Sequence, residues 1–549
     1  MKKKNDLTQG AMTLTIISFV VKVLSAIYRI PLQNSVGDKG FYIYQQIYPI
    51  YGVAQIMALT SLPVFLASVI VEQEDDEQKI SVIKSAYLLF SILGVFGFLS
   101  LYLGADFIAQ GMGDELLQPI IRSVSWFFLL IPSLVILRGV SQANFDLRPT
   151  AWSQLMEQLV RVSIILIVAA SITGDLYHII GVLMNSSWLA ALVALGVLLV
   201  FYLDRVDLRN IVNLRRVKRK WQNKTTRQSS SSPNEREHNK WHTIGSLVKR
   251  FYHEGSVYLL LAAFLVLLQL VDAFTVYKGL LDNGMSATSA KVVKGYYDRG
   301  QPIVQVGVVF ATSITTAYMP LLRKWFVERD TDRFNEISLS LLKVCGIFST
   351  FITVGIIIVM PALNQFLFKD RSGTTELRWF ALLMLPYGIL IACQAIQQGK
   401  KQFRPAMLAL SVGLLLKLAT NRVLTARYGI LGSSIGTTLV VSVVAISVLI
   451  PVLKTLAKPL KLRNLLWFGV IIVAMSLGSL AIPYVFNVLG IGESRFIAAS
   501  VLLLQAIIGA SIGLILLAKT RWLSQFEWEL IPFGSKIYQL FQSENSTER

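Results

Sequence analysis

Lys22 lies in an apolar run with Ser18, Ser25 and Arg29, at successive spacings of four, three and four residues. That spacing puts all four on one face of a helix. At 1.5 Å per residue Lys22 falls about 16 Å into a span starting near residue 11, close to a bilayer centre. An ionisable group at that depth is costly and marks a binding site or pathway by default. Glu157 and Arg161 stand one helical turn apart in another apolar run. They either form a stabilising pair or leave Arg161 to a ligand. Lys417 is a further deep cation with no carboxylate a turn away, and Asp272 is a candidate counter-ion. Asp298 and Arg299 adjoin at the head of a long apolar stretch, and either snorkel to the interface or face the bundle interior. In the second case Arg299 contacts the ligand and Asp298 orients it. The chemistry on offer is anion binding, since Arg forks and Lys point charges match phosphate oxygens. Tyr42, Tyr44, Gln45, Tyr48, Tyr51 and Gln55 form either a sugar-binding face or an interfacial aromatic belt.

Bond-making chemistry has little support. The four histidines have no metal-ligand spacing, and Cys345 and Cys393 both fall in apolar segments, so neither a metal site nor a disulfide framework is expected. No phosphate-cradling Gly-rich Lys-Ser/Thr motif is present, which argues against ATP hydrolysis. The one adjacent acidic pair on an external loop, Asp114-Glu115, lacks a basic neighbour. No catalytic residue and no cofactor are therefore expected.

These residues need a membrane scaffold to position them. Of 549 residues 54% are hydrophobic and only 15% charged, with mean hydropathy +0.58. A soluble domain carries about 25% charge, so the chain reads as an all-α polytopic membrane protein. The net charge of +20 sits mainly in short loops, which points away from nucleic acid. At about 20 apolar residues per crossing we count fourteen spans, the first at 11–31 and the last at 496–518. Lysines and arginines gather on one set of loops, so both termini are expected to be cytoplasmic. The basic N-terminus reads as a retained first helix, not a signal peptide.

The sequence divides into residues 1–203 (spans 1–6), a basic cytoplasmic linker at 204–252, residues 253–454 (spans 7–12), and residues 455–549 (spans 13 and 14 with a tail). A weak repeat crosses the linker at an offset of 254–256 residues: Ile131-Pro132 through Arg148-Pro149 matches Leu385-Pro386 through Arg404-Pro405. An offset of six spans keeps orientation, so two parallel six-helix lobes are expected, with two extra C-terminal helices. The same offset places Arg161 opposite Lys417, and Glu157 opposite Gly413.

Several stretches carry a resemblance. They are Lys22-Val23-Leu24 through Tyr28-Arg29-Ile30-Pro31-Leu32, Gly37-Asp38-Lys39-Gly40, Tyr48-Pro49-Ile50-Tyr51, and Arg148-Pro149-Thr150-Ala151 with Glu157-Gln158-Leu159-Val160-Arg161-Val162. With fourteen spans and paired lobes, the chain resembles the multidrug/oligosaccharidyl-lipid/polysaccharide exporter superfamily. Within it the chain is similar to the lipid II (murein precursor) flippases of the Gram-positive and sporulation branch. The resemblance implies an inward-facing cavity with basic residues in spans 1, 2 and 8, matched here by Lys22 and Arg299, and an acidic outer-gate position at Asp38. The basic residues some relatives carry in span 2 are absent, because 56–63 is uncharged. Relatives that bind sodium suggest Asp272, Asn421 and Thr437 as counterparts, with the Lys417 ammonium one turn away as a stand-in for the ion.

The expected function is a flippase that moves an undecaprenyl-diphosphate-linked cell-wall precursor, lipid II first, across the bacterial plasma membrane by alternating access. The expected partners are this anionic lipid-linked diphosphate sugar, the bilayer, and cell-wall synthesis proteins. Energy would come from the membrane potential or a monovalent cation. The alternatives are a flippase for another lipid-linked oligosaccharide, and a membrane glycosyltransferase or polymer ligase.

Overall fold

The computed structural model describes residues 17–18, 20–171, 173–203, 244–400, 402–456, 462–490, 494–520, 522–530, 534 and 538–539. Most of the basic linker therefore lies outside the described residues.

Twelve helices among the described residues are long and apolar enough to cross a membrane. Two of them, Val20–Val71 and Arg404–Thr455, run for 52 residues each. At 1.5 Å per residue each would be about 78 Å long, more than twice the roughly 30 Å hydrocarbon core. Each breaks at one glycine with a positive φ: Gly37 at φ 68° and ψ −179°, and Gly429 at φ 62° and ψ −151°. Only glycine takes such angles without strain, so each long element is two crossings joined by a one-residue corner. The total is fourteen.

We number them α1 (20–36), α2 (38–71), α3 (Asp76–Leu103), α4 (Gln118–Ala143), α5 (Arg148–Ser171), α6 (Leu176–Leu203) and α7 (Ile244–Asp282). The second set is α8 (Ala287–Val327), α9 (Thr331–Phe368), α10 (Thr374–Gly399), α11 (404–428), α12 (430–455), α13 (Leu462–Val488) and α14 (Arg495–Lys519). Side-chain caps start several of them: Asp175 accepts from the backbone N–H groups of Tyr177 and His178, and Ser286, Asp330 and Ser494 cap α8, α9 and α14. A shift of 256 residues carries Gln118–Ala143 onto Thr374–Gly399 and Arg148 onto Arg404, so helix ends repeat where the sequence motifs repeat.

At α8 a short polar helix, Ala287–Asp298, capped by Ser286, precedes the apolar one. The apolar helix is Gly300–Val327 with Arg299 as its N-cap, so Asp298 and Arg299 stand at the junction of the two, at the head of the apolar stretch. Residues 287–294 contain Thr288, Ser289, Lys291 and Lys294, and a rule that counts apolar residues passes over such a turn-rich helical start.

The chain packs as two compact units, residues 1–28 with 43–273 and residues 29–42 with 274–549. These limits differ from the sequence division in two places. Most of α7 belongs to the first unit: Val266 packs at Gly52, Gln46 donates to the Ala273 carbonyl, and Arg250 pairs with Glu72 at 2.7 Å. Residues 29–42, the C-terminal end of α1 with its corner, belong to the second unit, where Asn34 donates to the Leu367 carbonyl at 2.7 Å. The physical reason is the same in both places. Contacts between helices, not the position of the long linker, set which helices pack as one unit.

Candidate functional site: buried charges in two units

In the first unit a π-turn at Met57–Ser61 interrupts α2. Such a turn frees backbone carbonyls from the helical ladder. The Ala58 carbonyl accepts from Arg138 Nη1 at 3.0 Å, and Arg138 also donates to Ser153 Oγ at 3.1 Å and Glu157 Oε2 at 2.8 Å. Arg138 and Glu157 are 0% and 1% exposed, so this is a fully buried ion pair. The expected Glu157–Arg161 pair is therefore corrected: α4 supplies the partner of Glu157. Sequence reasoning missed Arg138, although an arginine inside an apolar span was the available signal.

Arg161 consequently has no carboxylate partner among the described residues. Its Nη2 donates to Gln158 Oε1 at 2.7 Å, and its guanidinium lies over the rings of Tyr51 and Tyr28, 4.9 and 5.3 Å from their centroids. It is 1% exposed, and its Nε has no hydrogen-bond partner among the described residues. Tyr28 and Tyr44 share a hydrogen bond between hydroxyls, and Tyr44, Tyr48 and Tyr51 form a continuous aromatic series. The tyrosines of α2 are buried, not spread on an outer belt. A desolvated guanidinium among phenol rings is a ready receptor for an anion. Ser18 of the α1 stripe meets Gln154 of α5 at 3.4 Å, so the stripe turns toward this site, while Lys22 itself is exposed. Asp272 is also buried in this unit.

In the second unit Arg299 is 0% exposed and each of its five N–H groups is taken. Nε and Nη2 fork onto Asp38 at 2.9 and 2.8 Å, Nη1 and Nη2 fork onto Asp370 at 2.8 Å each, and Nη1 also reaches Asn364 at 3.3 Å. The Tyr296 and Phe368 rings cover its faces at 4.8 and 5.1 Å. Gln33 steadies Asp38 at 2.9 Å. Gly295 is required here, because a Cβ on it would stand 2.4 Å from the Asp38 carbonyl oxygen. Arg299 is thus a clamp that leaves no donor for a phosphate in this structure. Asp298 does not orient it. Both Asp298 oxygens accept from Lys294 Nζ at 2.7 Å, because residues four apart share a helix face and neighbours do not.

Among the other sequence candidates, Arg29 and Lys417 are each 1% exposed in this unit. Asn421 donates to Thr275 at 2.7 Å and accepts from Ser433 at 3.0 Å, and Thr437 donates to the Ser433 carbonyl at 2.8 Å and lies 3.4 Å from the Tyr297 hydroxyl. Ser433 thus links Asn421 to Thr437. No cluster of three His, Cys, Asp or Glu suited to a metal occurs among the described residues.

Asp370 lies in the loop between α9 and α10, outside the spans, and titrates accordingly. Burial pulls its carboxyl up, but hydrogen bonds from Arg299 and Ser372 outweigh this and hold it below its ordinary value. A carboxyl lowered in the folded state contributes stability above the ordinary value, near 3.9, and that stability is lost as pH falls through the lowered one. The melting temperature of the wild type should therefore drop more steeply below about pH 4 than that of Asp370→Asn. Parallel acid limbs in the two proteins would remove Asp370 from the clamp.

Fourteen helical crossings with buried intramembrane charges define a multi-pass membrane protein of a transporter fold. The family model described as "Polysaccharide biosynthesis protein" matches residues 7–326. The chain is 33% identical over 438 residues to "Uncharacterized membrane protein YabM" of Bacillus subtilis (strain 168), covering 79% of this chain and 78% of that one. It is 22% identical over 442 residues to "Lipid II flippase MurJ" of the same organism, covering 76% and 77%. Among solved structures, "Lipid II flippase MurJ, inward closed conformation" superposes with TM-score 0.65 at 13% identity, over 93% of this chain and 98% of that chain. An inward-facing multidrug resistance MATE family transporter of the MOP superfamily gives TM-score 0.60 at 13% identity, over 81% and 98%. The chain belongs to the polysaccharide biosynthesis protein family.

Proposed function

We propose that this protein is a flippase that moves an undecaprenyl-diphosphate-linked cell-wall precursor, lipid II first among them, from the inner to the outer leaflet by alternating access. The observation that carries the reading is Arg161, a buried intramembrane guanidinium held by a glutamine and two phenol rings with no carboxylate among its partners. Such a cation is costly as scaffold and well suited to a diphosphate. The relative named as a lipid II flippase supports the substrate class. The chain sits in the bacterial plasma membrane with both termini cytoplasmic, and the transmembrane potential or a monovalent cation supplies the energy. No bond is made or broken, so no enzyme chemistry and no cofactor enter, and cell-wall synthesis proteins receive the product.

Depletion in a strain with no other family member tests this. Lipid II should accumulate in the inner leaflet. Accumulation of a different lipid-linked glycan would reassign the substrate, and accumulation of none would end the flippase reading. In the same strain Arg161→Gln and Lys22→Ala should fail to complement at normal membrane levels, whereas Lys22→Arg should complement in large part. Full complementation by both losses of charge would contradict the anion site.

A further inference from the structure

Between α8 and α10 lies a cleft of about 260 Å³ that the charged sites do not use. Its walls are Thr312, Thr315 and Thr316 on one face of α8 and Gln394 and Gln398 on one face of α10, over an apolar patch that includes Met319. No acidic or basic side chain lines it. The two helices approach closely just before it: a Cβ on Gly388 would lie 3.7 Å from the Ala311 Cβ. Past that contact glycine gives way to larger side chains, and the cleft opens. Counted from Gly300, Thr312 to Thr316 lie about 18–24 Å along the helix, well inside the span.

Gln394 is 8% exposed and lines the cleft, yet its side chain makes no hydrogen bond among the described residues. An amide left this way against lipid would be costly, so the open side of the cleft faces water or a polar ligand. The hydroxyls of Thr312, Thr315 and Thr316 donate to the Val309, Ala311 and Thr312 carbonyls. Thr315 also meets the Cys345 thiol, so Thr316 supplies the acceptor lone pairs, and the two glutamines both donate and accept. Neutral hydroxyl and acetamido groups match this set; an anion does not. The volume falls below the roughly 300–1,000 Å³ of a drug-sized site, which suits one sugar ring and not a whole headgroup.

We infer that this cleft binds the uncharged, N-acetylated sugar next to the diphosphate, and so sets glycan preference separately from phosphate recognition. The inference rests on the proposed flippase function. The test is binding of the full purified chain in nanodiscs to two probes, undecaprenyl diphosphate bearing one N-acetylglucosamine and undecaprenyl diphosphate alone. The wild type should prefer the glycosylated probe, and Gln394→Leu should weaken that probe about tenfold while leaving the bare diphosphate unchanged, as expected for losing a hydrogen bond to a buried amide. Gln394→Asn should keep part of the preference. If Gln394→Leu fails to fold, Thr316→Val and Gln398→Leu, at less buried positions, carry the same test. No preference in the wild type, or equal weakening of both probes in the variants, overturns the sugar site alone. Wild-type protein that binds neither probe overturns the flippase reading and this inference with it.

Discussion

Glu157→Ala is expected to destabilise the first unit by about 3–5 kcal/mol, the usual cost of leaving one partner of a buried ion pair unpaired. The orphan would be Arg138, which is 0% exposed and keeps only the Ala58 carbonyl and the Ser153 hydroxyl. Arg138→Ala should cost a comparable amount by leaving the Glu157 carboxylate alone. The double change Arg138→Met with Glu157→Leu should recover most of the loss, because apolar residues of similar size replace buried pairs at little cost. Arg161→Gln should destabilise far less, since it removes a hydrogen bond to Gln158 and two ring contacts and strands no carboxylate. Melting of the four variants in one detergent reads all of this. A near-neutral Glu157→Ala, or a loss on Arg161→Gln that matches it, would return Glu157 to Arg161 and undo the pairing described above.

Arg299→Ala is expected to be the second large effect, about 3 kcal/mol, the lower end for a broken buried pair. The lower end applies because the Asp370 side chain is 43% exposed and water screens part of its charge. The loss should fall on the second unit, where Arg299 ties the Gly37 corner to the loop before α10 through Asp38 and Asp370. Arg299→Lys should recover only part, because one ammonium cannot make two forks. Limited proteolysis near residues 33–40, together with melting, would show the corner coming loose. Full stability in Arg299→Lys would mean that charge alone suffices and that the fork geometry is irrelevant.

Span number and family were legible because both rest on local chemistry. Apolar length marks a crossing, and Gly37 and Gly429 sit where two crossings had to be joined. The polar pairings were harder to read. Asp298 and Arg299 are neighbours in sequence, but a helix turns about 100° per residue, so they face different ways. Asp298 finds Lys294 on its own face, whereas Arg299 finds Asp38 and Asp370, 261 and 71 residues away. Glu157 and Arg161 do share a face, yet Arg138 reaches the carboxylate from another helix. What draws Arg138 there is a carbonyl in the π-turn of α2, and no residue type in Met57–Ser61 announces that turn. Lys22, Arg29 and Lys417 were found because any charge in an apolar run stands out; their geometry belongs to the fold.

The central claim is that Arg161 receives a diphosphate. It is tested most directly by titrating purified wild type and Arg161→Gln with undecaprenyl diphosphate and with undecaprenol, at one salt concentration. A charge-assisted bond of this kind contributes about 1.5–3 kcal/mol, so the variant should bind the diphosphate roughly ten- to hundredfold more weakly. Its melting temperature in the absence of ligand should stay near that of the wild type, and its affinity for undecaprenol should not change. Equal affinity of both proteins for the diphosphate, or an equal loss for both lipids, would contradict the account.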